Sequence, residues 1–307
     1  TMEQIPKEKF AFVQNREAEA DSIARPHVGY WKDCWRRFKE NKVAVGALIL
    51  LGVLVLMCIF APILSPYEYE TMDKSARLVS PSKTHWFGTD KLGRDVFTRV
   101  WIGGRVSMVI GLAAALISTT IGCIYGGIAA YFGGAVDNIM MRIVEVLISV
   151  PYLIVVILMS VILQNSNITT LLLAMTITGW CGTARFVRAQ MLQIKSEEYT
   201  LAAQALGVSP WKVVTRHFIP NTMGVIIVSI TFDIPGYIFS EAFLSYLGLG
   251  IQPPGTSWGA LASAAQSQFT FYPYLLLFPV LMIALTMLCF TLIGDGLRDA
   301  MDPKGRK

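Results

Sequence analysis

Charge is scarce in this chain. Of 307 residues, 15% are Asp, Glu, Lys or Arg, while 54% are apolar. So few charges cannot coat a water-facing surface, and the composition is that of a membrane-embedded chain. Histidine is scarcer still: His27, His85 and His217 stand far apart, with no metal-ligand spacing, so no metal is expected. There is no G-x-x-x-x-G-K-[ST], so ATP phosphates are not cradled by that device. The run Gly248-Leu249-Gly250 lacks a following Lys-Ser/Thr and reads as a turn. A catalytic triad, H-E-x-x-H, a nucleophile elbow and a regular Arg ladder are all missing. The chain reads as neither an enzyme nor a voltage sensor, and any work it does is driven by a separate protein.

What is present is a set of long oily runs. Roughly 18 uncharged residues suffice to cross the hydrocarbon. Residues 43–64, 106–134, 139–164, 169–191, 222–247 and 274–294 qualify as six spans, so both termini share a side. The first run follows a polar tail and is too long for a signal-peptide core. Positive residues choose the side. With the N-terminus inside, the inner segments hold Lys32, Arg36, Arg37, Arg142, Arg185, Arg188, Lys195, Lys212, Arg216, Arg298 and more, while 165–168 and 248–273 hold none. The expected topology is N-in, C-in, and the net charge of +5 reflects this bias rather than nucleic acid. Cys58, Cys123, Cys181 and Cys289 fall in spans and Cys34 inside, so disulfides are not expected.

The organisation follows. Residues 1–42 form a cytoplasmic tail, 43–64 the first span, 65–105 an outer loop, 106–296 a five-helix domain and 297–307 a tail. In the first tail Trp31, Cys34, Trp35 and Phe38 alternate with Lys32, Arg36, Arg37 and Lys39. That pattern fits a helix in the membrane interface, or an extension of the first span. In the outer loop, Asp95 and Arg99 are spaced for an ion pair. The loop is either a plug ordering the outer mouth or a contact for substrate or an outside partner. Gly122 and Gly126 form a G-x-x-x-G, a packing signal. Pro151 and Pro235 are expected kinks. Arg142 and Glu145 are three apart and can pair internally. Asp233 and Glu241 lie in a span, where a carboxylate costs roughly 2.5–3.5 kcal/mol, so both should face protein or water. Pathway lining and structural hydrogen bonding both fit them.

Residues 197–221 stand apart: an ordered polar island between two spans. Ala-rich helix formers lead to Gly207, then Ser209-Pro210 opens a second helix. The expected form is helix, tight turn, helix, a short knob suited to docking another protein.

The knob carries a family likeness. Ala202-Ala203-x-x-x-Gly207 followed by His217-Phe218-Ile219-Pro220-Asn221 resembles the cytoplasmic docking loop of bacterial ABC importer permeases. Phe87-Gly88-Thr89-Asp90-x-x-Gly93-Arg94-Asp95 and Leu244-Ser245-Tyr246-Leu247-Gly248-Leu249-Gly250-x-x-Pro253-Pro254-x-x-Ser257-Trp258-Gly259 resemble the dipeptide/oligopeptide/nickel group. Trp35-Arg36-Arg37-Phe38-x-x-Asn41-Lys42 is similar to its "C" subunit. The resemblance implies an all-α membrane fold of the type I importer kind. It implies a heterodimer with a homologous "B" permease, one or two cytoplasmic ATPases that hold ATP and Mg, and an extracytoplasmic binding protein. Its location would be the bacterial cell membrane and its cargo a peptide, or alternatively nickel or another small solute. A stand-alone transporter or channel is the reading from a different class. On this likeness Ala202, Ala203, Gly207, Ser209, Pro210, His217, Pro220 and Asn221 dock the ATPase. Asp233, Glu241, Glu145 and Arg142 are candidate path or internal polar residues, and Asp90, Arg94, Asp95 and Trp258 candidate outer contacts. One departure stands out: Leu201 occupies the place where the family loop usually has Glu, and Glu197 and Glu198 are off register.

Overall fold

The computed structural model describes residues 29–163 and 167–302, without the side chains at 160, 199, 203, 204, 210, 216, 217, 219 and 220. Most of the tail 1–42, Gln164 of the third span and the last residues 303–307 therefore lie outside the described residues. The described chain is helical, and its only ladder is an isolated bridge between Thr89 and Asp95.

Helix α1 (Tyr30–Glu40) is separated from α2 (Lys42–Leu64) by Asn41, whose side chain accepts the Ala44 N–H at 3.1 Å and caps α2. The tail helix is thus a distinct element rather than an extension of the span. Asp33 in its first turn takes Arg36 at 2.7 Å and Arg37 at 2.8 Å. Phe38 is buried beside Ala44 and Ala300, while Trp31 and Trp35 remain exposed.

Helix α3 (Val96–Phe132) is 37 residues long, about 55 Å at 1.5 Å per residue. It begins ten residues before the expected span, inside the stretch 65–105 read as loop. The cause is Asp95, whose carboxylate accepts the Thr98 N–H at 2.8 Å and its hydroxyl at 2.7 Å. The expected Asp95–Arg99 ion pair is not formed: Asp95 is engaged as the cap and with His85 at 2.9 Å, and Arg99 donates to Tyr69 O at 2.9 Å.

Helices α4 (Gly134–Ser149) and α5 (Tyr152–Leu163) meet at 80°. Pro151 accounts for the break, since the residue before a proline avoids the helical region and Val150 is extended. Then come α6 (Ile168–Lys195), α7 (Glu198–Ala205), α8 (Pro210–Val213), a π turn (Val214–Phe218) and α9 (Ile219–Tyr246). Pro235 sits inside α9 without breaking it. The last two are α10 (Trp258–Ala265) and α11 (Tyr274–Met301), which runs past the expected boundary at 296. By length and apolarity α2, α3, α6, α9 and α11 can each cross a membrane, and the bent α4–α5 pair is a sixth span if read as one. All five cysteines are free.

The bundle is organised around α3, whose glycines admit α2, α9 and α6 in turn. A Cβ at Gly104 would lie 2.6 Å from Cys58 Sγ of α2, and one at Gly111 would lie 2.4 Å from Ile238 of α9. A Cβ at Gly122 would lie 2.7 Å from Thr183, and one at Gly126 2.4 Å from Ala184 O, both on α6. The G-x-x-x-G is therefore the α3–α6 contact, the most extensive in the fold. At one end, here called the coupling end, Lys195 Nζ donates to Ala130 O at 3.1 Å and Tyr131 O at 2.6 Å, tying α6 to the last turn of α3. Helix α1 and the end of α11 lie at this end too, around Gly224 of α9. At the opposite end residues 65–95 form a strap over the start of α3, and Tyr274 Oη lies 3.0 Å from both Val79 O and Thr89 O.

Gly126→Leu is expected to destabilise the chain by about 1–3 kcal/mol through overpacking at the α3–α6 seam. Thermal unfolding in detergent checks this, and an unchanged midpoint would contradict the contact.

Candidate functional site

The island between α6 and α9 has the expected helix, turn and helix. After α7 the chain reverses at Gly207, whose φ is +74°. A Cβ there would meet nothing within 4 Å, so backbone conformation rather than space demands glycine. Helix α8 begins at Pro210, and the Val213 N–H reaches Ser209 O at 3.0 Å. The motif 217–221 is not a separate loop: the π turn carries α8 into α9. Pro220 has no N–H to give the carbonyl four residues back, and the register shifts to π just there.

The knob has two sides. Val213, Val214 and Phe218 are buried against Ala130 of α3, Val187 and Met191 of α6, and Ile226 of α9. Leu201, Leu206 and Trp211 are exposed at 53%, 84% and 67%. Ala202, Ser209 and Asn221 are exposed as well, while the side chains of Ala203, Pro210, His217 and Pro220 lie outside the described residues. The knob is thus rooted in three helices, and its free face presents Leu201, Leu206 and Trp211 among the exposed charges of Glu197, Glu198 and Lys212.

Glu241 is the most buried carboxylate of the described chain, at 0% exposure. Two relays of hydrogen bonds end on it. The Trp258 N–H donates to Ser107 Oγ at 3.2 Å, and Ser107 Oγ donates to Glu241 Oε2 at 2.7 Å. The Ala260 N–H donates to Ser257 Oγ at 3.1 Å, Ser257 Oγ to Ser245 Oγ at 3.4 Å, and Ser245 Oγ to Glu241 Oε1 at 2.7 Å. Both relays start at first-turn amides of α10, so that helix's positive end is directed onto the carboxylate. Helices α3, α9 and α10 are joined through this one group. Of the two roles left open for Glu241, structural hydrogen bonding is the one the geometry supports. Ser245, four residues on from Glu241, was findable by helical spacing; Ser107 and Ser257 carry no such signal.

Trp258 does not present its side chain to an outside partner, contrary to the sequence expectation. It is fully buried, and its indole N–H donates to Val100 O at 2.9 Å. Asp90, Arg94 and Asp95 order the strap: Asp90 Oδ1 accepts the Leu92 and Arg94 N–H groups at 2.8 and 3.0 Å, and Arg94 Nε meets Asp90 Oδ2 at 2.7 Å.

Arg142 and Glu145 pair at 2.7 Å, but with side chains 78% and 55% exposed rather than internal. A second pair, Asp137–Arg188, ties the start of α4 to α6 and escaped sequence reasoning, since its partners are 51 positions apart. Asp233 is half-buried and makes no hydrogen bond or ion pair among the described residues. Arg105, read as loop, instead donates from α3 to Cys58 O and Ile59 O of α2. Cys58 O is the carbonyl that Pro62, lacking an N–H, leaves unpaired in α2.

Residues 96–307 match the family described as binding-protein-dependent transport system inner membrane component, and residues 29–81 match the N-terminal transmembrane domain of oligopeptide transport permease C. The chain is 48% identical over 305 residues to the dipeptide transport system permease protein DppC of Bacillus subtilis, covering 99% of this chain and 95% of that one. It is 47% identical to the oligopeptide transport system permease protein OppC of the same organism, with full coverage of both. To OppC of Escherichia coli K12 it is 45% identical, with 96% of each covered. Among solved structures, a chain of the inward-facing MetNI methionine ABC transporter aligns with a TM-score of 0.53 at 17% identity, over 66% of this chain and 97% of that one.

Glu241→Leu strands the Ser107 and Ser245 hydroxyls, at a cost of about 1–3 kcal/mol each, whereas Glu241→Gln keeps the volume and one acceptor. The expected order of thermal midpoints in detergent is wild type, then Gln, then Leu; three equal midpoints would refute the relay.

Proposed function

The chain belongs to the binding-protein-dependent transport inner-membrane components, as an oligopeptide/dipeptide permease of the C type; from this premise we propose that it forms half of the translocation path of an ATP-driven peptide importer. It pairs with a homologous B permease, receives peptide from an extracytoplasmic binding protein, and docks one or two cytoplasmic ATPases. The chain itself is non-catalytic, and ATP and Mg are held by those partners. It resides in the cell membrane with both termini and the knob inside, as the distribution of basic residues supports.

The observation that carries this reading is the knob: rooted in α3, α6 and α9, turned at Gly207, and apolar at Leu201, Leu206 and Trp211. Closure of the ATPases carries the docked knob as a rigid body, and the helices rooted in it rock between inward-open and outward-open arrangements. Ala202 and Ala203 keep the docking surface low, and Gly207 sets its turn. Asp233, a span carboxylate with no partner within the described chain, lines the path, because lipid offers it nothing.

Reconstitution of the chain with its partners in lipid vesicles tests the reading: added peptide is expected to raise ATP hydrolysis only when the binding protein is present. Peptide movement by the isolated chain would overturn it. Ala203→Arg is expected to leave the subunit inserted but to cut peptide-stimulated hydrolysis by about tenfold or more. Leu206→Asp removes about 2 kcal/mol of buried apolar contact, roughly thirtyfold in ATPase affinity. Normal uptake with either would exclude the knob as the dock. Asp233→Leu is expected to impair transport while the permease pair still co-purifies; loss of the pair would instead mark Asp233 as structural.

A further inference from the structure

At the coupling end, a cleft of about 820 Å³ opens between α4 and α6 and holds three arginines. Their states differ. Arg188 is held by Asp137, and Arg142 reaches Glu145 at 2.7 Å. Arg185 is exposed and makes no hydrogen bond or ion pair among the described residues. With the two carboxylates counted, the cleft keeps one positive charge in excess, on a guanidinium with its donors free.

Helix α4 has three faces. Asp137 and Val144 are buried. Asn138, Arg142 and Glu145 make an exposed polar stripe along the cleft. Ile139, Ile143 and Val146 make an exposed apolar stripe, at 63%, 48% and 59%. A helix with a polar edge beside an apolar face, joined at 80° to the predominantly apolar α5, has the pattern of an interfacial helix. The apolar stripe of α4 calls for acyl chains, and the unpaired Arg185 across the cleft on α6 for an anion at the same depth. A guanidinium fork matches the oxygens of a phosphate.

We propose that this cleft binds the phosphate of an anionic membrane phospholipid, through Arg185 and Arg142, with the acyl chains against the apolar face of α4. A soluble phosphate would satisfy the arginines but leave that face uncovered. The proposal is independent of the import reading, and would stand for a chain that moved no peptide.

Native mass spectrometry of the purified full chain tests it, with phosphatidylglycerol and phosphatidylcholine as probes. Phosphatidylglycerol is expected to bind about tenfold tighter than phosphatidylcholine. Arg185→Gln should abolish that preference, while Lys91→Gln, on the strap at the opposite end, should leave it intact. Arg185 makes no polar contact, so its loss spares the fold, which circular dichroism verifies. As a second variant Glu145→Gln releases Arg142, and is expected to tighten phosphatidylglycerol binding severalfold. Unchanged preference in Arg185→Gln, or no gain in Glu145→Gln, would overturn the proposal. So would inorganic phosphate competing as well as the lipid, which marks a soluble-anion site, or trialanine displacing the lipid, which marks a site for a peptide carboxylate.

Discussion

Hydrocarbon offers no hydrogen bond, so a polar group carried into the membrane is favoured where it finds a partner within the protein or water. That constraint explains contacts that otherwise look unrelated. Pro62 leaves Cys58 O unpaired in α2, and Arg105 reaches across from α3 to take it. The last carbonyls of α3 are taken by Lys195 of α6. Glu241 receives two relays that begin at the open amides of α10. Each solution ties two or three helices together, so satisfying polar groups also fixes the architecture. Glycines on α3 then let those helices come close enough for the bonds to form.

Helix α3 connects the two ends of the molecule. Its start is capped by Asp95 within the strap, its middle holds Ser107 of the Glu241 relay, and its last turns pack on Val214 of the π turn through Gly127 and Ala130. It is packed on α6 over much of its course. The breaks lie elsewhere, at Pro151 between α4 and α5 and at the π turn before α9. In the proposed importer, force entering at the knob reaches the strap end through α3.

Much of this was legible in the sequence. The spans, the separate tail helix, the turn at Gly207, the G-x-x-x-G seam and the permease family all follow from local patterns: apolar length, alternation, turn residues and motif order. What escaped depends on long-range pairing. Nothing near Arg188 names Asp137, and nothing near Ser107 names Glu241. The loop boundary was misplaced for a related reason. Residues 96–105 carry Arg99 and Arg105, and charge counts against a span; yet Arg99 is held in the strap by Tyr69 O and the Asp90 carboxylate, and Arg105 by Cys58 O and Ile59 O of α2. Trp258 was read as an outer contact because it lies in a conspicuous motif, but a motif can be conspicuous because its residues pack. Its indole seals the meeting of α3 and α10 and has no surface to offer.

Leu201 gives the departure at the knob a physical meaning. A Glu there would dock through charge, an interaction weakened by salt and by exposure. Leucine replaces it on a face that already carries Leu206 and Trp211, all three open to solvent in the single chain. Burial of such side chains contributes about 1.5–3 kcal/mol each, more than an exposed ion pair of about 0.2–1 kcal/mol. In the proposed dock, the substitution would exchange a directional contact for a less directional one. Direction must then come from shape, which is where Gly207 and the buried root of Val213, Val214 and Phe218 act: they fix the angle at which the apolar face is presented. For the proposed importer, an apolar dock calls for a stiff mounting, and the packing of Val213, Val214 and Phe218 at the junction of three helices supplies it.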